Sequence, residues 1–121
     1  MDHPTRLLTR RQQGFVLHSM HLTGEVAAPP WSMQVEHRAL VRAVGMLSGP
    51  VVLAVCDSGL SLRSGSARVD VEGVGFWASP VVATASRLRR GLACAYGRSA
   101  QLEFAGGRLF VNASSMPARE I

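Results

Sequence analysis

Residues Ser32 to Gly49 read Ser-Met-Gln-Val-Glu-His-Arg-Ala-Leu-Val-Arg-Ala-Val-Gly-Met-Leu-Ser-Gly. Met33-Gln34-Val35 alternates apolar and polar, as a short strand does. A helical pattern follows without a break from Glu36 to Leu47. With Leu40 at the centre of the apolar face, Val44 and Leu47 fall on the same side at spacings of four and seven, with Val41 beside them. Arg38, Arg42 and Gly45 fall opposite. The helix therefore has an apolar floor and an arginine-bearing roof, with no carboxylate among its outward residues. Ser48-Gly49-Pro50 stops it, because glycine suits the position after a helix and proline cannot extend the hydrogen-bond ladder.

The surrounding chain sets limits on this reading. Its 121 residues suit one domain with a real core. Net charge is +5, and all 13 basic residues are arginine. An arginine surface suits phosphate or carboxylate partners. A GC-rich coding sequence accounts for arginine over lysine, but not for where the arginines sit. Cys56 and Cys94 are far apart and outside any CxxC pattern, which predicts free thiols in a reducing compartment. No apolar run reaches membrane-spanning length, and the first residues do not form a secretory signal. A cytoplasmic protein with no membrane partner is expected.

Residues 1–30 read as an extension. Residues 1–13 are a basic arm, with Arg6, Arg10 and Arg11 around Leu7-Leu8. Gly14 to Leu22 suggests a strand, and Thr23 to Pro30 a connector. Beyond the first helix, Val51–Cys56, Leu60–Arg63 and Ala67–Glu72 read as three short strands, joined at Asp57-Ser58-Gly59 and Ser64-Gly65-Ser66. Gly73-Val74-Gly75 breaks the pattern. Phe76 to Thr84 is strand-like, with Pro80 inside it. Ser86 to Tyr96 is helical. Leu88, Leu92 and Ala95 share one face, and Arg90 points the other way, flanked by Arg87 and Arg89. Three further strands follow, with Gly106-Gly107 as a hairpin turn.

At an offset of 49 residues the chain overlays itself. Leu53 meets Leu102, Val55 meets Phe104, Leu60 meets Leu109, Leu62 meets Val111, Arg38 meets Arg87, and Pro50 meets Ser99. Each half reads strand, helix, strand, strand, strand. Two such halves predict an α+β layer, two helices packed on one face of antiparallel sheet, over residues 31–121.

This unit, given twice, resembles one domain of the DNA sliding clamps. Met33-Gln34-Val35-Glu36-His37-Arg38-Ala39-Leu40-Val41-Arg42-Ala43-Val44 is similar to the start of bacterial clamp chains (the DNA polymerase III β subunit). Gly106-Gly107-Arg108-Leu109-Phe110-Val111 is similar to their recurring hairpin. The resemblance implies helices that line a ring around double-stranded DNA. Carried over by position, Arg38, Arg42, Arg87, Arg89, Arg90 and Arg98 would meet the DNA backbone. Physical chemistry asks for the same thing: phosphate contacts need accessible cations and no base-reading geometry. An ordinary solvated helix face also carries charge, but it usually mixes signs. Clamp rings hold six such domains. A single-domain chain would therefore need to assemble as a homo-oligomer, or it is not a ring.

Enzyme readings fare worse. Cys56-Asp57-Ser58-Gly59 is similar to the nucleophile loop of trypsin-like proteases, but Leu60 replaces a needed glycine and the chain is too short for two barrels. His18 and His21 pair for a metal only on a helix; on a strand they diverge. No glycine-rich phosphate loop, HExxH or paired carboxylates are present. No cofactor, metal or small-molecule substrate is expected. Trp31 and Trp77 read as plugs at the ends of the core. Two functions remain: a non-catalytic, clamp-like module on DNA, or a structural module that self-associates through sheet edges without DNA.

Overall fold

The computed structural model describes residues 30–95 and 97–121. The basic arm, the strand expected at 14–22 and the histidines at 18 and 21 lie outside the described residues. The elements are β1 (Trp31–Glu36), α1 (His37–Gly45), β2 (Pro50–Cys56), β3 (Gly59–Ser64), β4 (Ala67–Trp77), β5 (Val81–Thr84), α2 (Ala85–Ala93), β6 (Ser99–Ala105), β7 (Arg108–Val111), β8 (Ser114–Pro117) and β9 (Arg119–Glu120).

The strands form one sheet in the order β8-β7-β6-β1-β4-β3-β2-β5-β9, and every pairing is antiparallel. The expected α+β layer is corrected here. Strands take 56% of the structure and helices 20%, and the nine-stranded sheet curls until it is nearly closed, like a barrel. Two causes stand out. Each helix is only 9 residues, about 13 Å at 1.5 Å per residue, too short to roof nine strands. And the two half-sheets are continuous through β4, which runs 11 residues across the stretch expected to break.

The first part of β4 pairs with β3, from Ala67 opposite Ser64 to Glu72 opposite Gly59. Its second part pairs with β1, from Gly73 opposite Val35 to Trp77 opposite Trp31. Glycine makes this crossing fit. A Cβ at Gly73 would lie 2.8 Å from Val35 Cγ1 and 2.9 Å from Met33 Sδ, and one at Gly59 would lie 2.2 Å from the Gly73 nitrogen. Glycine here permits close backbone approach rather than ending a strand. The strands at the two ends of the order, β8 and β9, are separated in sequence by Ala118 alone. The Ala118 N–H donates to the Gly107 carbonyl and the Ile121 N–H to the Pro80 carbonyl, both at 3.1 Å.

One apolar cluster joins helices and strands. Leu40, Val44, Leu88 and Leu92 share it with Leu53, Leu60, Leu62, Leu102 and Leu109. Full burial of such side chains contributes roughly 1.5–3 kcal/mol each. Val41, expected beside this face, is 42% exposed, and Ala43 is buried in its stead. Trp77 belongs to the core and donates its indole N–H to the Leu53 carbonyl at 2.9 Å. Trp31 is half-buried, donates to the Ser79 carbonyl at 2.9 Å, and meets Phe104 edge-on at 5.1 Å. Trp77, enclosed in the core, offers no open face for stacking on bases.

Candidate nucleic-acid interface

The helices lie side by side, the start of each beside the end of the other, and exchange contacts reciprocally. The first helical N–H of α1, on His37, donates to the Arg98 carbonyl at 2.7 Å. The first of α2, on Ala85, donates to the Gly49 carbonyl at 2.8 Å. Each pairing satisfies a donor that a helix start leaves orphaned. Side chains return the favour at the C-termini. The His37 ring Nε2 donates to the Leu92 carbonyl at 3.1 Å. Arg89 Nη2 donates to the Leu47 carbonyl and, at 3.4 Å, to that of Val44.

These contacts revise the internal alignment. The strands match at an offset of 49, since Leu53 and Leu102, Leu60 and Leu109, and Leu62 and Val111 are all fully buried pairs. The helices match at 48: Leu40, Ala43 and Val44 correspond to Leu88, Gly91 and Leu92, and each set is buried. The extra residue lies between α2 and β6. Arg42 thus corresponds to Arg90, while Arg38 corresponds to Ser86 rather than Arg87.

Arg38, Arg42, Arg87, Arg90 and Arg98 are all exposed, and none of them makes a side-chain ion pair among the described residues. Arg89 is exposed as well, but its guanidinium is engaged on α1 carbonyls, a C-terminal cap of the kind arginine commonly supplies. Neither helix has an acidic residue in its first turn, while Arg42 and Arg90 occupy the last turns, where a cation also favours the helix dipole. The described ion pair is Arg68 with Asp70 on β4, 2.9 Å apart. It holds the Arg68 pKa above its ordinary value, first through the hydrogen bond and then through the charge of Asp70.

A groove flanks each helix. The groove between α2 and β8 is lined by Arg87, Arg90, Gly91, Cys94 and residues 114–117, with no carboxylate. Ser115 in its wall accepts a 3.0 Å hydrogen bond from Arg108 Nε. The groove between α1 and β4 is lined by Ala39, Arg42, Ala43, Met46 and Val69, with Glu36, Asp70 and Glu72 at its rim. Sequence reasoning missed both grooves and the capping role of Arg89, because all three depend on which strand passes beside which helix.

The described residues hold no group of three or more His, Cys, Asp or Glu placed to bind a metal. Cys56 is half-buried, with its Sγ 3.4 Å from Ser58 Oγ, and Cys94 is an exposed thiol. No helix among the described residues is long and apolar enough to cross a membrane. Comparison with protein-family models, with curated proteins and with solved structures gives no match for this chain.

Proposed function

We propose that this protein is a non-catalytic module that associates with the backbone of double-stranded DNA through its helix pair, the function implied by the resemblance to sliding-clamp domains. One observation carries the reading. Two adjoining antiparallel helices present Arg38, Arg42, Arg87 and Arg90 outward without ion pairs among the described residues, and neither helix contains a carboxylate. The exposed Arg98, whose carbonyl accepts from the first N–H of α1, adds a fifth cation near the helix pair. Such a surface suits phosphates at no fixed base sequence. Arg89 contributes by holding the helices together rather than by touching DNA.

Fluorescence anisotropy of a labelled duplex across a salt series tests this. Five phosphate contacts, one for each of Arg38, Arg42, Arg87, Arg90 and Arg98, give a slope of log K against log salt near −4.5, about −0.9 for each phosphate neutralised. Arg42→Glu/Arg90→Glu, at the two equivalent outward positions, is expected to weaken binding and flatten the slope by about two. Absence of binding by the unaltered protein at low salt would sink the proposal.

Self-association through sheet edges is the alternative. The outermost strands, β8 and β9, have 4 and 2 residues and adjoin in sequence, so little open edge is left for a second copy to pair with. Sedimentation that shows a stable oligomer indifferent to DNA would favour this alternative.

A further inference from the structure

We propose that residues 5–11 of this chain, Thr-Arg-Leu-Leu-Thr-Arg-Arg, dock in the groove between α1 and β4. The groove offers an apolar floor from Ala39 and Val69 and an acidic rim from Glu36, Asp70 and Glu72. Met46 beside it is 65% exposed, a large apolar side chain with little cover. Glu36 and Glu72 have no ion pair among the described residues, while Asp70 is shared with Arg68.

The segment matches this surface in kind. Leu7-Leu8 supplies the apolar pair for the floor. Arg6, Arg10 and Arg11 flank it on both sides, for the carboxylates of the rim. The groove's own cation, Arg42, is outnumbered by those carboxylates. The corresponding groove beside α2 lacks the match, because Arg87 and Arg90 line it and no carboxylate does. Like charges would repel the segment there. Reach is ample. Glu36 ends β1, a strand of 6 residues that begins just after Pro30, so the groove lies about 20 Å from that point at 3.3 Å per residue. Residues 12–29 can span about three times that distance. Docking would also place three more arginines at the acidic side of the helix pair, which bears on the DNA reading, but the docking itself does not depend on it.

The test uses the full chain with a nitroxide on Thr5→Cys, in a Cys56→Ser/Cys94→Ser background, observed by amide NMR. The expected result is loss of peak height at Ala39, Met46 and Val69. The peaks should recover at about 1 M salt, where the screening length falls to about 3 Å. Glu36→Lys/Glu72→Lys should abolish the loss, and adding Arg10→Glu/Arg11→Glu to that variant should restore it. Should the charge-reversed chain fail to fold, the salt titration of the unreversed chain decides alone. Three outcomes overturn the proposal: no broadening on residues 30–121, broadening centred on Arg90 and Ser115, or broadening that disappears on dilution and so comes from a second copy. No arm of the experiment contains nucleic acid, so it can fail while the DNA proposal stands, and the reverse.

Discussion

Between α1 and β4, helix positions Ala39, Ala43 and Met46 line a groove whose other wall holds Val69, Asp70 and Glu72. Between α2 and β8, the equivalent helix positions are Arg87, Gly91 and Cys94, and they line a groove whose other wall is Ser114 to Pro117. The backbone plan is the same, down to the first helical N–H bonding to the carbonyl just before the strand that follows the other helix. The chemistry has diverged to opposite sign. The interior tolerates little divergence, since Leu40 and Leu88 are both fully buried. The groove walls are half open to water and constrain only shape. Repeated architecture thus preserves the core and leaves the flanks free to differ in charge.

The largest effect that can challenge this comparison lies in the core. Leu40→Ala and Leu88→Ala should each destabilise the protein by roughly 2–5 kcal/mol. Denaturant titration should give similar costs for the two, because both side chains are fully buried in one cluster. A marked inequality would mean that the halves are packed less alike than their alignment indicates.

Next comes the reciprocal capping. Arg89→Met keeps the aliphatic stem and removes the donors that serve the Leu47 and Val44 carbonyls. A loss of about 1 kcal/mol is expected, read as a lower denaturation midpoint. An unchanged midpoint would return Arg89 to the outward face and make it a candidate phosphate contact.

The smallest effect concerns Gly91, opposite Ala43 in the alignment. A Cβ there would lie 2.9 Å from Met116 Cε, the mobile end of an unbranched side chain that can shift cheaply. Alanine also gains about 0.8–1 kcal/mol of helix propensity over glycine. Gly91→Ala should therefore leave stability within about 0.5 kcal/mol of the original. A larger loss would show that glycine is required for β8 to pass so close to α2, and the two helix–strand approaches would then differ in kind.

Much of the local structure was legible in the sequence. The apolar spacing of Leu40, Val44 and Leu47 and of Leu88 and Leu92 found the buried helix faces, and Gly106-Gly107 marked a hairpin. The closure of the sheet was not legible, because glycine in Gly73-Val74-Gly75 reads the same whether it ends a strand or lets one strand cross another. The one-residue slip between helices and strands was hidden too. Arginine at 87 and at 89 fits an outward face equally well from sequence, and only the neighbouring helix end shows that the Arg89 guanidinium reaches across to it. The outward placement of Arg42 and Arg90 was readable, since each sits opposite a run of buried residues.

The central position of β1 has a consequence for synthesis. β1 is the first described strand to leave the ribosome, yet its two neighbours are β4 and β6. Ser32 pairs with Phe76 on one side and Glu103 on the other. At about 5–20 residues per second, translation takes roughly 2–9 s to deliver the first partner and 4–14 s to deliver the second. Through that interval the nascent chain carries an unpaired strand containing Met33 and Val35. Chaperone contact with the nascent chain should therefore concentrate on this strand and end once β6 has emerged.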